Sequence, residues 1–410
     1  MRKSAYSLLI PVLVLSALVL SGCAGPASQP ATTNVRPTAA VPAPATSALA
    51  SASPAPQSDS TVLLLTRPSR PPRVPRPASA FAYVANTFDS TITRYAIDPA
   101  SGNIQPIDSV QLAGASEPIA TALHPSGHFL YVANHSAGTV NAFSIHPGTG
   151  ALTPIGSSVP ADLNPRAISA DPKGRFVYVV NQGSSNVSAF KVDAETGELT
   201  ATGATENNFR IPFSAAVEPA GKFVYVANEG ANDISQFSIN GETGALTPVG
   251  APVAAGSNPT SIVVHPSGLF AYVANYASGD VSAYAISGST GELTPIGTPI
   301  AAGANPFSIV LDSLGRFVYV ANFGSGDVSV FAIDSSTGAL RAVGSPVIAG
   351  ATPVSVTLDA SGQFAYVANF GSQDVSVFTV NASTGALTVV GQPVAAGSRP
   401  TSVITSGAPQ

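Results

Sequence analysis

Seven asparagines, Asn86, Asn134, Asn181, Asn228, Asn275, Asn322 and Asn369, each close a Tyr-Val-x-Asn run, and the residue after each one differs. In chain order it is Thr87, His135, Gln182, Glu229, Tyr276, Phe323 and Phe370. A second variable set flanks seven regularly spaced prolines: Glu117, Arg166, Arg210, Phe307 and Arg399. His135, Glu117 and Glu229 have the chemistry of a general base and acid, and Arg166 or Arg210 could hold an oxyanion. Nothing in their spacing demands catalysis, and scatter of polar loop residues is the simpler account. The aromatic members suggest a contact surface instead. On that reading Tyr276, Phe307, Phe323 and Phe370 form an apolar arc on consecutive units, opposite a polar arc of Glu117, His135, Arg166, Gln182, Arg210 and Glu229. Gln182 and Arg399 join the aromatics as binding candidates. The alternative is that each ring folds over its own loop.

These residues acquire a common address from the repeat that carries them. Prolines at 118, 165, 212, 259, 306, 353 and 400 are spaced by 47 residues, and the tyrosines at 83, 131, 178, 225, 272, 319 and 366 by 48 once and then 47. A strict period of this size marks a repeat architecture. Each unit reads as four short strands joined by turns. In one unit these are A near Thr260–Val264, B near Phe270–Ala274, C near Val281–Ile286 and D near Leu293–Ile296. A glycine recurs at one phase of the C–D turn (102, 150, 197, 244, 291, 338, 385), which points to a backbone needing positive φ. The chain enters the repeats at a strand B (Phe81–Ala85) and leaves at a strand A (Pro400–Thr405). Complementary ends predict a closed ring, which hides sheet edges that an open solenoid would expose. The fold class is therefore all-β: a seven-bladed β-propeller closed by its C-terminal strand.

In such a blade the D-to-A and B-to-C connections share one face, so both variable sets lie there. Positions alike in every unit are architecture. The Asn series should bond its own turn, and Asp233, Asp280, Asp327 and Asp374 should do likewise. His124, His128, His146 and His265 fall in turns on the other face or in outer hairpins, so no metal set forms, and no cofactor motif is present.

Residues 1–22 have the charged start and apolar run of a secretory signal, and Leu20-Ser21-Gly22-Cys23 resembles a bacterial lipobox with lipid on Cys23. Ordinary secretion or an uncleaved anchor is the alternative. Residues 23–80 are rich in Pro, Ala and Ser and read as a disordered tether. Within it Arg67, Arg70, Arg73 and Arg76 would share one face of a polyproline II helix, as a stiff spacer or as a stripe resting on anionic headgroups. Residues 81–410 form the propeller. They carry 10 Lys+Arg against 21 Asp+Glu, an acidic body that argues against nucleic acid as partner. The chain is expected to be a monomer held outside the cytoplasm, on an outer membrane or periplasmic face.

The runs Y-V-A-N-x-x-S-x-D-V-S-x-F and T-G-x-L-T-P-x-G resemble the YVTN-repeat and lactonase-type bacterial β-propellers, similar to 6-phosphogluconolactonase, over roughly residues 81–406. The resemblance implies lactone hydrolysis, yet family members typically carry Pro-His-x-His entering an inner strand and Asp-Leu-Gly-x-Asp after a strand B. None of the seven prolines here is followed by such histidines, and the nearest match to the second signature, Asn322 to Asp327, begins with Asn. The leading expectation is thus a binding or scaffold module for a protein or envelope polymer. Hydrolysis of a sugar lactone is the alternative.

Overall fold

The computed structural model describes residues 80–113, 116–207 and 209–407. The lipobox at Cys23 and the arginine stripe at 67–76 lie outside them.

Seven antiparallel sheets follow one another along the chain, with no helix among the described residues. The first blade is assembled from both ends of the repeat region. Its innermost strand is Pro400–Ser406, which pairs with Phe81–Asn86, so that Val403 lies opposite Val84 and Ile404 opposite Tyr83. The expected ring closure is present.

Strand B is the most buried element of each blade: Phe81–Asn86, Phe129–Asn134, Phe270–Asn275, Phe317–Asn322 and Phe364–Asn369 are buried along their whole length. A strand buried on both faces needs an unbroken apolar run rather than alternation, which is what Phe-x-Tyr-Val-Ala supplies. The core consists of seams between neighbouring blades, not of one central mass. In one seam Phe129, Tyr131 and Ala133 of the second blade pack on Val177, Val179 and Phe190 of the third.

At six of the seven seams a tyrosine hydroxyl latches one blade to the next, and only the Tyr319 hydroxyl has no partner among the described residues. Tyr83 donates to the carbonyl of Gly150 at 2.8 Å and Tyr272 to that of Gly338 at 3.0 Å. The same glycines hold positive φ (Gly150, 68°), and a Cβ on Gly150 would lie 2.4 Å from the Phe81 ring. At the inner strands, the serine two residues after the proline accepts the next blade's N–H. Ser308 accepts from Val356 at 3.2 Å and Ser355 from Val403 at 3.1 Å.

Strand D starts where the sequence places it, at Leu293 in the fifth blade, but it is the least regular strand. Strand D is continuous only in the first and third blades (Ile104–Gln111, Leu199–Asn207). In the other five it breaks into a three-residue and a two-residue piece, such as Leu293–Pro295 and Ile300–Ala301. Proline does not account for the break: Pro106 sits in the continuous strand of the first blade, while Leu340–Ala342 and Leu387–Val389 end without one.

Candidate functional site

Each inner strand begins with a distortion. In the third blade Asn181 lies opposite Pro165 and Val180 opposite Ala167, so Arg166 is an extra residue, a β-bulge. The same shift makes Phe213 and Phe307 extra residues in the fourth and sixth blades. A bulge re-aims a side chain that pleating would otherwise place on the sheet face.

The residue before each proline has positive φ: Glu117 47°, Asn164 53°, Ile211 51°, Asn258 53°, Asn305 55°, Thr352 52° and Arg399 56°. This costs most for β-branched Ile211 and Thr352, on the order of 1–3 kcal/mol each. A backbone clamp holds the conformation, because the residue after each strand-closing Asn donates its N–H to that carbonyl. Tyr276 N bonds Asn258 O at 2.8 Å, and His135 N bonds Glu117 O at 2.9 Å. The two variable sets therefore meet on one face, as the topology predicts. The Asn series bonds its own turn, with Asn275 Nδ2 donating to Asp280 Oδ1 at 2.7 Å and Ser282 Oγ at 2.9 Å.

The side chains converge differently from the expected arcs. The rings of Phe213 and Phe307 stand edge to face at 5.7 Å although a whole blade separates their strands. Such rings meet only across the mouth of the central channel. Phe323 packs on Phe307 at 5.9 Å and on Tyr276 at 6.0 Å, and Tyr276 meets Phe307 at 6.3 Å. The Arg166 guanidinium lies 4.0 Å from the Phe213 centroid and 5.4 Å from that of Phe307. Arg166 thus belongs with the aromatics rather than opposite them, and Phe213, which sequence reasoning missed, completes the cluster. Its signal was its register, one residue after a proline, as for Arg166 and Phe307. Phe370 is not part of the cluster; it pairs with Arg399, 4.9 Å from its centroid. Nor does each ring fold over its own loop: these rings pack on one another across blades.

Glu229 borders the cluster. Its carboxylate accepts a hydrogen bond from Gln182 Nε2 at 3.2 Å. Burial raises its pKa, opposed by the charge of Arg166 and by the Gln182 bond. Burial lowers Arg166 to about 10, with Glu229 acting against the shift, so the guanidinium remains a cation at neutral pH. The two charges sense each other without forming one of the three ion pairs among the described residues. The Tyr276 hydroxyl is pushed up by burial and by the nearby Glu229 charge.

The remaining acid–base candidates fare otherwise. His135 Nδ1 bonds Pro165 O at 3.1 Å and its Nε2 meets Asn164 Nδ2 at 3.2 Å. Both ring nitrogens are used, in the pattern of a neutral ring donating from Nδ1. Burial holds it below its ordinary value. Glu117 is bonded by the Ser136 hydroxyl. Arg210 is exposed and makes none of the ring contacts that hold Arg166. No group of metal-ligating side chains occurs among the described residues.

An open cleft of about 530 Å³ lies elsewhere, between the first and seventh blades, lined by Asp89, Thr93, Ser109 and Gln111 among others. Its hydroxyls bond each other (Thr93 to Ser109, 2.9 Å) and Asp89 is taken by Ser398 N at 2.5 Å. No base stands free beside a nucleophile there. The channel mouth is the chemically equipped place: one desolvated carboxylate, one cation without an acidic partner, and an aromatic floor.

Comparisons with known proteins agree with the architecture. Solved structures with TM-scores of 0.71 include a candidate 6-phosphogluconolactonase from Bacteroides uniformis, 22% identical, and the periplasmic gluconolactonase PpgL of Pseudomonas aeruginosa, 24% identical. Each aligns over 80% of this chain and over 98% and 100% of its own length, respectively. A candidate 6-phosphogluconolactonase from Bacteroides fragilis is 21% identical with a TM-score of 0.70, covering 80% of this chain and 97% of that one. At these identities the likeness is one of fold. No curated protein matches the chain. The model of the family described as lactonase, 7-bladed beta-propeller, matches residues 74–212, 212–306 and 305–405. With that match spanning the ring, the chain belongs to the lactonase family of seven-bladed β-propellers.

Proposed function

We propose that the channel mouth hydrolyses a sugar lactone. The observation that carries this reading is the pairing of Glu229, a carboxyl with raised pKa, with Arg166, a guanidinium that has no acidic partner. A base is most effective with its pKa near the working pH. A cation in a desolvated site stabilises charge that develops on an oxygen.

The chemistry follows from those two groups. Glu229 takes a proton from water as the water oxygen bonds to the lactone carbonyl carbon. The carbonyl oxygen becomes an oxyanion held by Arg166. Collapse breaks the ring acyl C–O bond, and the proton passes from Glu229 to the departing alkoxide, leaving a hydroxy acid. Phe307, Tyr276 and Phe323 form a floor for the apolar face of a sugar ring. Arg166 is the only cation in the cluster, so an unphosphorylated lactone suits it better than a phosphorylated one.

This reading replaces the expectation of a docking surface. Tyr276, Phe307 and Phe323 are half-buried and face one another, which suits a small ring better than a broad macromolecular contact. The test is pH-stat hydrolysis of glucono-δ-lactone and 6-phosphogluconolactone by the purified protein. Turnover of the former above the spontaneous rate, lost in Glu229→Gln and Arg166→Met, is expected. No turnover of either, or turnover unchanged in both variants, overturns the reading.

We further propose that Cys23 carries lipid and anchors the site outside the cytoplasm. Incorporation of labelled fatty acid into the wild type but not into Cys23→Ser is expected, and equal labelling of both would refute it.

A further inference from the structure

A second arginine on the same face is built like the first. The Arg399 guanidinium lies 4.3 Å from the Phe88 centroid and 4.9 Å from that of Phe370. Arg399 occupies the position before the proline, where the third, fifth and sixth blades carry Asn. Two of those asparagines spend their amides on the preceding blade's backbone: Asn258 Nδ2 donates to Glu229 O at 3.4 Å and Asn305 Nδ2 to Tyr276 O at 3.1 Å. Arg399 reaches the preceding blade by stacking on Phe370 instead. Stacking uses the faces of a guanidinium and leaves its edge donors unspent. Among the described residues no acceptor bonds those donors.

The backbone around it is fixed. Arg399 holds φ at 56°, and its carbonyl accepts Thr87 N at 3.1 Å, while Ser398 O accepts Phe88 N at 3.3 Å. A stacked, positionally locked cation with free donors is an anion seat. Two neighbours define the anion. Asp89 bonds Ser398 N beside the seat, so a negative charge already stands there and disfavours a dianion. Phe88 is 53% exposed, offering a ring face to the carbon skeleton of the ligand.

We propose that Arg399, Phe88 and Phe370 form a site for a sugar carboxylate, a uronate or aldonate, with the carboxylate bidentate on Arg399 and the sugar face on Phe88. The site is independent of the lactone reading, since it shares no residue with it. The shared chemistry has two sources, a free sugar acid or the uronate units of a polymer, and the experiment separates them.

Isothermal titration of the full chain would use gluconate, glucuronate, a uronate oligomer and inorganic phosphate, at low and high salt. Expected are carboxylate binding weakened by salt, and a loss of at least about tenfold in Arg399→Met, the scale of one charge-assisted hydrogen bond. Preference for the oligomer over the monomers assigns the site to a polymer, and parity assigns it to free acids. Phe88→Ala, on an exposed ring, should weaken binding without touching the charge, and it keeps the test decisive if Arg399→Met fails to fold. Absence of carboxylate binding, binding equal in wild type and both variants, or tighter binding of phosphate would overturn the proposal.

Discussion

The hydroxyl of Tyr366 donates to the carbonyl of Gly102 at 3.0 Å across 264 residues of chain, the same bond that Tyr225 makes to Gly291 across 66. The seam that closes the ring thus carries the bond found at five of the six seams inside it. A Cβ on Gly102 would fall within the Phe364 ring, and Gly102 has φ of 72°. Gly102→Ala should therefore destabilise the protein by about 2 kcal/mol or more, from overpacking plus left-handed strain. Tyr366→Phe should cost about 1 kcal/mol. Urea unfolding of both measures the difference.

Closure predicts a second stability effect. Val403 is 4% exposed and sits opposite Val84 in the innermost strand of the first blade. Val403→Asp would bury an unpaired charge, at a cost of about 3–5 kcal/mol. A fall in the unfolding midpoint far beyond that of Val403→Ala is expected in thermal scans.

Arg166→Met should lower kcat for the lactone by roughly 100- to 1000-fold, the scale seen for loss of one oxyanion donor. Arg166→Lys should not restore it, because a compact ammonium cannot both stack on Phe213 and donate along an edge. Steady-state kinetics with circular dichroism as a folding control would decide.

Glu229 gives a pH signature in stability as well as in rate. Its folded pKa is raised above the ordinary 4.5, so between those two values the folded state binds more protons than the unfolded one. Stability is then fullest below the ordinary value and declines as pH rises through the folded one. Glu229→Gln should flatten that decline in urea unfolding measured upward from the ordinary value. In the wild type kcat/KM should rise across the same window, as the base loses its proton.

His135→Ala should leave turnover within a few-fold of wild type. Both ring nitrogens are spent on Pro165 O and Asn164, so its loss removes loop contacts rather than a proton carrier. A cost of about 1 kcal/mol in stability is expected. A thousandfold fall in kcat with intact folding would contradict the assignment.

The ring, its blade number and its closure were legible because the repeat is strict: Pro118 to Pro400 and Tyr83 to Tyr366 keep phase throughout. The face carrying the variable residues followed from strand order alone. What the pattern concealed was convergence in space. Arg166 and Phe307 lie on strands separated by two blades, and sequence distance cannot tell that a bulge turns both toward one axis. Phe213 shares the register of Phe307 but was overlooked because its blade also carries Arg210 and Glu229 and was read as part of the polar arc. His135 looked like a base until its two nitrogens were found bonded. The break in strand D was hidden because Leu-Thr-Pro and a later Val-Ala pair do not announce that they share one neighbour.

The pairing of Pro400–Ser406 with Phe81–Asn86 also orders the assembly of the ring. The earliest-made strands of the ring must wait, lacking their inner partner, until nearly all the remaining repeats have been synthesised. Chains truncated in the sixth or seventh blade would display an open flank and an incomplete channel mouth. Such intermediates are natural clients for holding chaperones, and the ring becomes whole in one late step rather than blade by blade.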